Sequence, residues 1–504
     1  MDASTRTGCL PSTRADILKF IVEWVDDRTS QQTVLWLHGL AGSGKSTLST
    51  TIASIYGNSG RLGAFLFFDR DITERSDPTM VIRTLAYQLA SSDARIGAAI
   101  RAVVERNPNI MMLPLHLQFR KLISDPLSTI EVPPRLAIIV IDALDECGTA
   151  ATRESLLELL SDVSNLSLHF RTIITSRATI DIFNALESQQ HIFIYELDIR
   201  SAANSDDILK YFRHCMTRLR TQKRHLQLGI EWPGEVVFHQ LVDRASGLFV
   251  WASTAWEFIN GHDPRRRLDV ILREDIASDA EAALDVLYKT ALESIGFWDD
   301  EDFISDFRAI LGVILVARVP LSSASIDAFL RLPKDRPSMY TISLLGCVLQ
   351  QNPCVRILHP SFADFLMTPQ RCKWDTWFFD RATYHRRLAF HCLDCMDAVL
   401  KQNMCGMTLS ADRTNENLSE HVSYSCLFWI DHISVIEDNL VPVIDRLRGF
   451  LCQHLLHWFE AMSIMKRSRD TISLVSCLMN WVSVSQLDSL QYHHLSENSA
   501  PCSP

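Results

Sequence analysis

Short continuous apolar runs alternate with helically spaced ones along the first part of the chain. Val34-Leu35-Trp36-Leu37, Leu62 to Phe68, Leu136-Ala137-Ile138-Ile139-Val140-Ile141, Arg171 to Thr175 and His191 to Leu197 read as strands. The third is apolar throughout, as a strand covered on both faces requires. Ile17, Leu18, Ile21, Val22 and Val25 recur at helical spacing behind a cap at Ser12 or Thr13. Thr47 to Tyr56 reads as a helix, as does Arg153 to Leu160. Asp77 as N-cap with Pro78 in the first helical position opens another helix, running through Ala90. Strands alternating with helices predict an α/β fold with a doubly wound, mostly parallel sheet. Such sheets bind ligands at the carboxyl ends of their strands.

Beyond about residue 200 the strand signal fades. Asp206 to Arg220, Val236 to Arg244, Leu248 to Ile259 and Glu281 to Ser294 read as a helical domain. Over 303–370 a helix, a helix opened by Pro320, a further helix and the short strand Val355-Arg356-Ile357-Leu358 fit a winged-helix domain. From 371 to 504 the pattern is again helical and rich in aromatic residues. No internal repeat is visible there, and Ser496 to Pro504 reads as a frayed end.

A chain of 504 residues exceeds one compact core and suggests about three or four units. Its net charge of -11 argues against a dedicated nucleic-acid binder. The basic run Arg265-Arg266-Arg267 follows Asp263-Pro264 and reads as a solvated loop. Met1-Asp2-Ala3-Ser4 lacks the basic-then-apolar layout of a secretory signal. The longest apolar candidate, Ile310 to Ala317, is bracketed by Arg308 and Arg318 and falls short of the roughly 20 residues that span a bilayer. The 13 cysteines form no repeated framework, so reduced thiols in a cytoplasmic protein are the simplest reading.

Candidate chemistry centres on Gly39-Leu40-Ala41-Gly42-Ser43-Gly44-Lys45-Ser46, a phosphate-binding loop lying between a strand and a helix. Glycines let the backbone wrap phosphate oxygens, and the helix N-terminus adds unpaired N–H groups. Lys45 is placed to meet the β- and γ-phosphates, and the Ser46 hydroxyl to ligate Mg²⁺. Asp142, ending a buried strand, is the natural Mg²⁺ partner, directly or through a bound water. Asp145 and Glu146 follow in the same loop as candidates to polarise the attacking water, Glu146 being favoured as the base; solvated loop acids are the alternative. Arg177 in Thr175-Ser176-Arg177 is a candidate γ-phosphate sensor or a surface cap on the sheet. His385, His391, Cys392 and Cys395 invite a zinc reading, but position 391 leaves the face the others share, and helix packing accounts for them better. Trp374, Trp377, Phe378 and Phe379 read as core or a domain interface.

Gly39 to Thr47, Leu62-Gly63-Ala64-Phe65, Arg75-Ser76-Asp77-Pro78, Ile141 to Cys147 and Thr175-Ser176-Arg177 together resemble a NACHT domain. More narrowly, they resemble the nephrocystin-like NACHT NTPases abundant in fungi. Gly247 to Ala252 and His359 to Leu366 extend the resemblance over residues 9 to 430. It implies a STAND-class signalling ATPase in which ADP holds a closed monomer and exchange for ATP opens it for self-association or association with related NACHT proteins. Fungal incompatibility or innate-immune responses are the implied setting, with slow hydrolysis as the reset. Gly39, Ala41, Gly42, Ser43, Gly44, Lys45, Ser46 and Thr47 would bind the nucleotide. Arg14 would lie beside the adenine, and His359 would touch a phosphate in the closed state.

The resemblance also implies a partition of the chain. Residues 1–30 form a leading helix with the adenine-side segment, 31–200 the nucleotide-binding domain, 201–300 a helical domain, 301–370 the winged helix and 371–504 a C-terminal helical region. Phe249 stands where many relatives carry a proline at the nucleotide. An effector module before the NACHT unit and a repeat array after it are expected but not seen. A truncated, non-hydrolysing scaffold that assembles with full-length relatives is therefore the alternative reading. A small-molecule kinase would need a compact lid that the helical extensions do not suggest.

Overall fold

The computed structural model describes residues 6–70, 72–130, 136–161, 170–351, 353–373, 376–404 and 418–497, with side chains from 484 onward left aside. It divides into two compact units, Met1–Thr290 and Ala291–Pro504.

The first unit opens with α1 (Ala15–Asp26), β1 (Val34–His38), α2 (Lys45–Asn58) and β2 (Leu62–Phe67). The helices α3 (Thr73–Ser76), α4 (Val81–Ser92), α5 (Ala94–Arg106), α6 (Leu115–Phe119) and α7 (Asp125–Ser128) then lead to β3 (Ala137–Asp142). Next come α8 (Ala150–Ser161), β4 (Phe170–Ser176), α9 (Ile180–Leu186) and β5 (Ile192–Glu196). The five strands lie in the order β2-β3-β4-β1-β5, and every pairing is parallel. Alternate residues serve opposite faces. Val34 and Trp36 join Ile139, Ile141 and Ile174 against α4, α5, α8 and α9. Leu35 and Leu37 join Phe65, Phe67, Ile138 and Val140 against α1 and α2. The doubly wound α/β fold is thus present, and all its strands end on one edge.

Helices α10 (Ala202–Gln222), α11 (Glu235–Ala245), α12 (Phe249–Ile259), α13 (Pro264–Arg273) and α14 (Ala280–Glu293) follow β5. Here the loop expected around Arg265-Arg266-Arg267 is corrected: these residues lie in α13. Asp263 caps that helix by accepting from Arg266 N–H at 3.1 Å, and Pro264 occupies its first turn. Its basic side chains had masked a helix start that Asp-Pro already signals. The start of α1 is also corrected. Arg14, at φ 57°, precedes the helix without a side-chain cap, while the Thr13 hydroxyl bonds back to Leu10 O at 2.7 Å.

The second unit contains α15 (Glu301–Val316), α16 (Ser323–Leu330) and α17 (Ser338–Leu344), then the antiparallel pair β6 (Leu349–Gln351) and β7 (Val355–Ile357), then α18 (Pro360–Met367). Pro320 does not open α16. Ser322 caps it, and Leu321 bridges to Val355 instead. The partner strand β6 was not foreseen, because Leu349-Gln350-Gln351 is too short and polar to stand out. The unit ends with α19 (Arg381–Val399), α20 (Glu420–Ile433), α21 (Val441–Ile464) and α22 (Asp470–Glu497). Trp377 and Phe379 are buried here, against Trp298 at 5.3 Å and Phe307 at 6.0 Å between ring centroids. Trp374 and the last residues of the chain lie outside the described residues.

Among the described residues no helix is long and apolar enough to cross a membrane. Ile310–Val316 belongs instead to the buried helix α15.

Candidate functional site

β1 runs into the glycine loop, and the loop runs into α2 with Gly44 as its N-cap. Gly42 and Gly44 hold φ values of 78° and 93°, a region that penalises any side chain. Space forbids one as well, since a Cβ on Gly42 would lie 2.1 Å from Val250 Cγ1. Val250 N–H donates to Gly42 O at 3.1 Å, so the first turn of α12 sits directly on the loop. Phe249 lies beside it, 3.9 Å from where a Cβ on Gly44 would stand. The Arg14 guanidinium stacks over the Phe249 ring at 4.6 Å and donates to Ser43 O. Arg14 N–H donates to Asp207 Oδ2 of α10 at 2.8 Å.

Lys45 Nζ donates to Gly39 O and Leu40 O at 2.8 Å each. Burial pushes its pKa down to about 8; Arg177 adds to this, while Asp145, Asp142 and Glu146 oppose it. Ser46 is exposed on the first turn of α2, and the Thr47 hydroxyl donates to Gly44 O at 2.8 Å. Ala41 and Ser43 complete the loop, Ser43 being buried.

The acid loop follows β3. Asp142 is fully buried, and its Oδ1 accepts from Thr175 Oγ1 at 2.6 Å and Ser49 Oγ at 2.9 Å. Its Oδ2 pairs with Arg6. Ala143 sits at φ 59°, which costs roughly 1–2 kcal/mol for a residue with a Cβ. Asp145 accepts from Arg177 N–H at 2.9 Å and from Arg177 Nε at 3.2 Å. Its charge is thereby matched. Glu146 accepts from Arg70 N–H at 3.4 Å. Burial, reinforced by Asp145 and opposed by Arg70, pushes its pKa up to about 7. A carboxyl balanced near neutrality has the character of a general base.

Loop, acids and arginine therefore share the carboxyl edge of one sheet. β4, which delivers Arg177, lies between β1 and β3, which deliver the other two groups. Ser49 and Arg6 were missed by sequence reasoning. Ser49 stands one helical turn beyond Lys45 and could have been found by that spacing, whereas nothing local marks Arg6.

His359 lies in the second unit, where it caps α18. Its Nδ1 accepts from Ser361 N–H at 3.2 Å and meets Ser361 Oγ at 2.7 Å, which leaves Nε2 to carry the proton. His385 pairs with His432 through their Nδ1 atoms at 2.8 Å. No cluster suited to a metal ion is found among the described residues.

The glycine cradle, the α2 N-terminus and Lys45 fit the phosphates of a nucleotide. The exposed Ser46 hydroxyl and the Asp142 carboxylate are oxygen donors of the kind Mg²⁺ prefers.

Residues 18–177 match the family described as Nephrocystin 3, N-terminal. The chain is 24% identical over 509 residues to the vegetative incompatibility protein HET-E-1 of Podospora anserina, an alignment covering 94% of this chain and 35% of that protein. The chain thus spans about a third of that relative's length. Among solved structures, the Walker-type ATPase paby2304 of Pyrococcus abyssi aligns at 14% identity and a TM-score of 0.34, over 71% of this chain and 98% of that one. Cdc6p from Pyrobaculum aerophilum aligns at 11% identity and a TM-score of 0.32, over 77% and 98% respectively. The strand order and the loop define an α/β P-loop NTPase domain. Over residues 18–177 this P-loop domain is similar to the Nephrocystin 3, N-terminal family, and over most of its length the chain is similar to HET-E-1, which supports nucleotide binding.

Proposed function

We propose that this NTPase is a STAND-type switch in the cytoplasm, which binds ATP or ADP with Mg²⁺ and hydrolyses ATP slowly to reset itself. The observation that carries the proposal is the seat of α12 on the phosphate loop. Val250 N–H holds Gly42 O, and Val250 fills the space over Gly42. Arg14 joins Ser43, Phe249 and Asp207. A nucleotide that shifts the loop by a fraction of an ångström must move α12 or break these contacts, so the helical segment reads the bound phosphates. Cores and packed interfaces respond to such shifts in discrete steps.

In this reading Gly39 to Thr47 cradle the phosphates, and Lys45 leaves its loop carbonyls to meet the β- and γ-phosphates. Ser46 would hold Mg²⁺ directly, and Asp142, whose Oδ2 pairs with Arg6, would hold it directly or through a water; the ion would neutralise phosphate charge. Glu146 takes a proton from the attacking water. Arg177, held by Asp145, presents positive charge at the sheet edge for the γ-phosphate. Arg14 orders the adenine side through Phe249. His359, protonated on Nε2, is the tautomer able to donate to a phosphate oxygen. Self-association on ATP binding, and a role in an incompatibility response like that named for the HET-E-1 relative, complete the proposal.

Steady-state phosphate release tests the hydrolytic part. Wild type should turn over slowly, and Glu146→Gln should not. Indistinguishable rates would favour a nucleotide-stabilised scaffold that assembles with relatives. His359→Ala should change the ratio of ADP to ATP affinities; an unchanged ratio removes His359 from the switch.

A further inference from the structure

Arg153 entered the sequence reading only as the start of a helix. In the structure it lies in the first turn of α8, just after the acid loop, and is 4% exposed. Its Nη1 faces three carbonyls of that loop: Asp145 O at 2.9 Å, Cys147 O at 3.0 Å and Leu144 O at 3.3 Å. Its opposite edge grips α9, with Nη2 at 2.7 Å and Nε at 3.0 Å from Asp181 Oδ2. The loop's own bonds, Glu146 N–H to Ala143 O and Cys147 N–H to Leu144 O, close a tight turn and leave those carbonyls facing the guanidinium.

Asp181 stands four residues after Arg177, at the start of the helix that the arginine loop feeds. One buried side chain therefore ties the loop carrying Asp145 and Glu146 to the helix following Arg177. A buried guanidinium is tolerated only when its donors are matched, and losing one partner leaves an uncompensated charge. Lysine cannot replace it, because one ammonium does not serve two opposed sets of acceptors as a planar fork does.

We propose that Arg153 is a positioning residue for hydrolysis, holding the Glu146 carboxyl and the Asp145–Arg177 pair in one fixed relation through its bridge from the acid loop to Asp181. The proposal rests on the hydrolytic reading above. Arg153 itself touches no reacting atom, so it should act on turnover and not on nucleotide affinity. Misplacing a catalytic group by about 1 Å costs on the order of 100-fold in rate.

The test compares wild type with Arg153→Lys, Arg153→Met and Asp181→Asn in three readouts. These are affinity for a fluorescent ATP analogue, single-turnover hydrolysis across pH, and backbone hydrogen exchange. All three variants should bind the analogue within about 2-fold of wild type, while turnover falls by roughly 10–100-fold. The acid limb of the pH–rate profile should move, because the burial of Glu146 depends on the loop's position. Arg153→Lys should not rescue, although it keeps the charge. Asp181→Asn removes only the outer, partly exposed anchor, so it covers the case in which a change at Arg153 prevents folding.

In the exchange arm, residues 144–147 and 176–178 should lose protection together in Asp181→Asn, while 42–47 keep theirs. Folded variants with unchanged turnover and pH profile would overturn the proposal. So would exchange that loosens only the loop next to the substituted residue. Wild type that binds the analogue without hydrolysing it, yet shows the joint loosening in Asp181→Asn, would refute the hydrolytic reading and leave the bridge itself standing.

Discussion

Gly42→Ala places a methyl group where Val250 already stands. The new Cβ would lie 2.1 Å from Val250 Cγ1 and 2.7 Å from Val250 Cβ, on a residue held at φ +78°. Val250 cannot turn aside easily. Its χ1 is stiff, and its N–H is bonded to Gly42 O. The left-handed backbone costs roughly 1–2 kcal/mol for a residue with a Cβ, and overpacking adds about 1–3 kcal/mol. The sum predicts a destabilisation of about 2–5 kcal/mol. Val250→Ala removes the obstructing methyls and leaves the backbone term. The double variant should therefore be better than the two single losses added, by a coupling of about 1–3 kcal/mol. Equilibrium unfolding of all four proteins, together with nucleotide affinity for each, measures the cycle. If Gly42→Ala is neutral, or its cost is the same with and without the Val250 methyls, α12 does not rest on the phosphate loop and the switch proposal loses its basis.

Glu146→Gln should abolish turnover and also stabilise the protein above pH 7. The carboxyl's folded pKa of about 7 lies above its ordinary 4.5, so stability falls as pH rises between those values. Removing the charge should return on the order of 1–3 kcal/mol at pH 8, read from unfolding midpoints; no gain at pH 8 would contradict the burial of this group. In the second unit, burial, with Arg318 and Arg381 adding, pushes the His385 pKa down to about 3. Burial, with His385 and Arg318, holds His432 well below its ordinary value. A depressed folded pKa makes stability full above about pH 6.5 and erodes it below, by about 1.4 kcal/mol per pH unit for His385. Between pH 7 and pH 5 the second unit should lose about 2 kcal/mol through His385, with His432 adding in the same direction, and His385→Asn should make that dependence shallower; an unchanged slope would contradict the burial of His385 in its neutral form. Phe249→Ala should free Arg14 and weaken nucleotide binding by roughly 2–30-fold, since an arginine over a ring contributes about 0.5–2 kcal/mol. Titration with a fluorescent nucleotide measures this, and an unchanged affinity would remove the pair from the site.

The sheet was legible because each of its strands announces itself locally. Val34–Leu37 and Leu136–Ile141 are apolar runs beside a glycine loop and an aspartate, and parallel strands put both ligand-bearing ends on one edge. Helix α13 was obscured by three arginines, although Asp263 and Pro264 gave its start. β6 escaped notice because Leu349-Gln350-Gln351 has no pattern apart from its partner β7. At the site, glycines, Lys45 and the acids are motif residues with a spacing to find. Arg6, Phe249 and Arg153 work through contacts set by tertiary structure, 136 residues apart for Arg6 and Asp142. The sequence could flag Phe249 only as a departure from proline, whereas the fold puts its ring under Arg14 at the phosphate loop.

The most direct test of a nucleotide-held switch is the nucleotide released when freshly purified protein is denatured, quantified by chromatography beside Lys45→Ala. The account predicts near-stoichiometric ADP from wild type and its loss from the variant, because a charge-assisted phosphate contact worth about 1.5–3 kcal/mol disappears with Lys45. A wild type that releases no nucleotide, and that ATP with Mg²⁺ does not stabilise against heat, would contradict it.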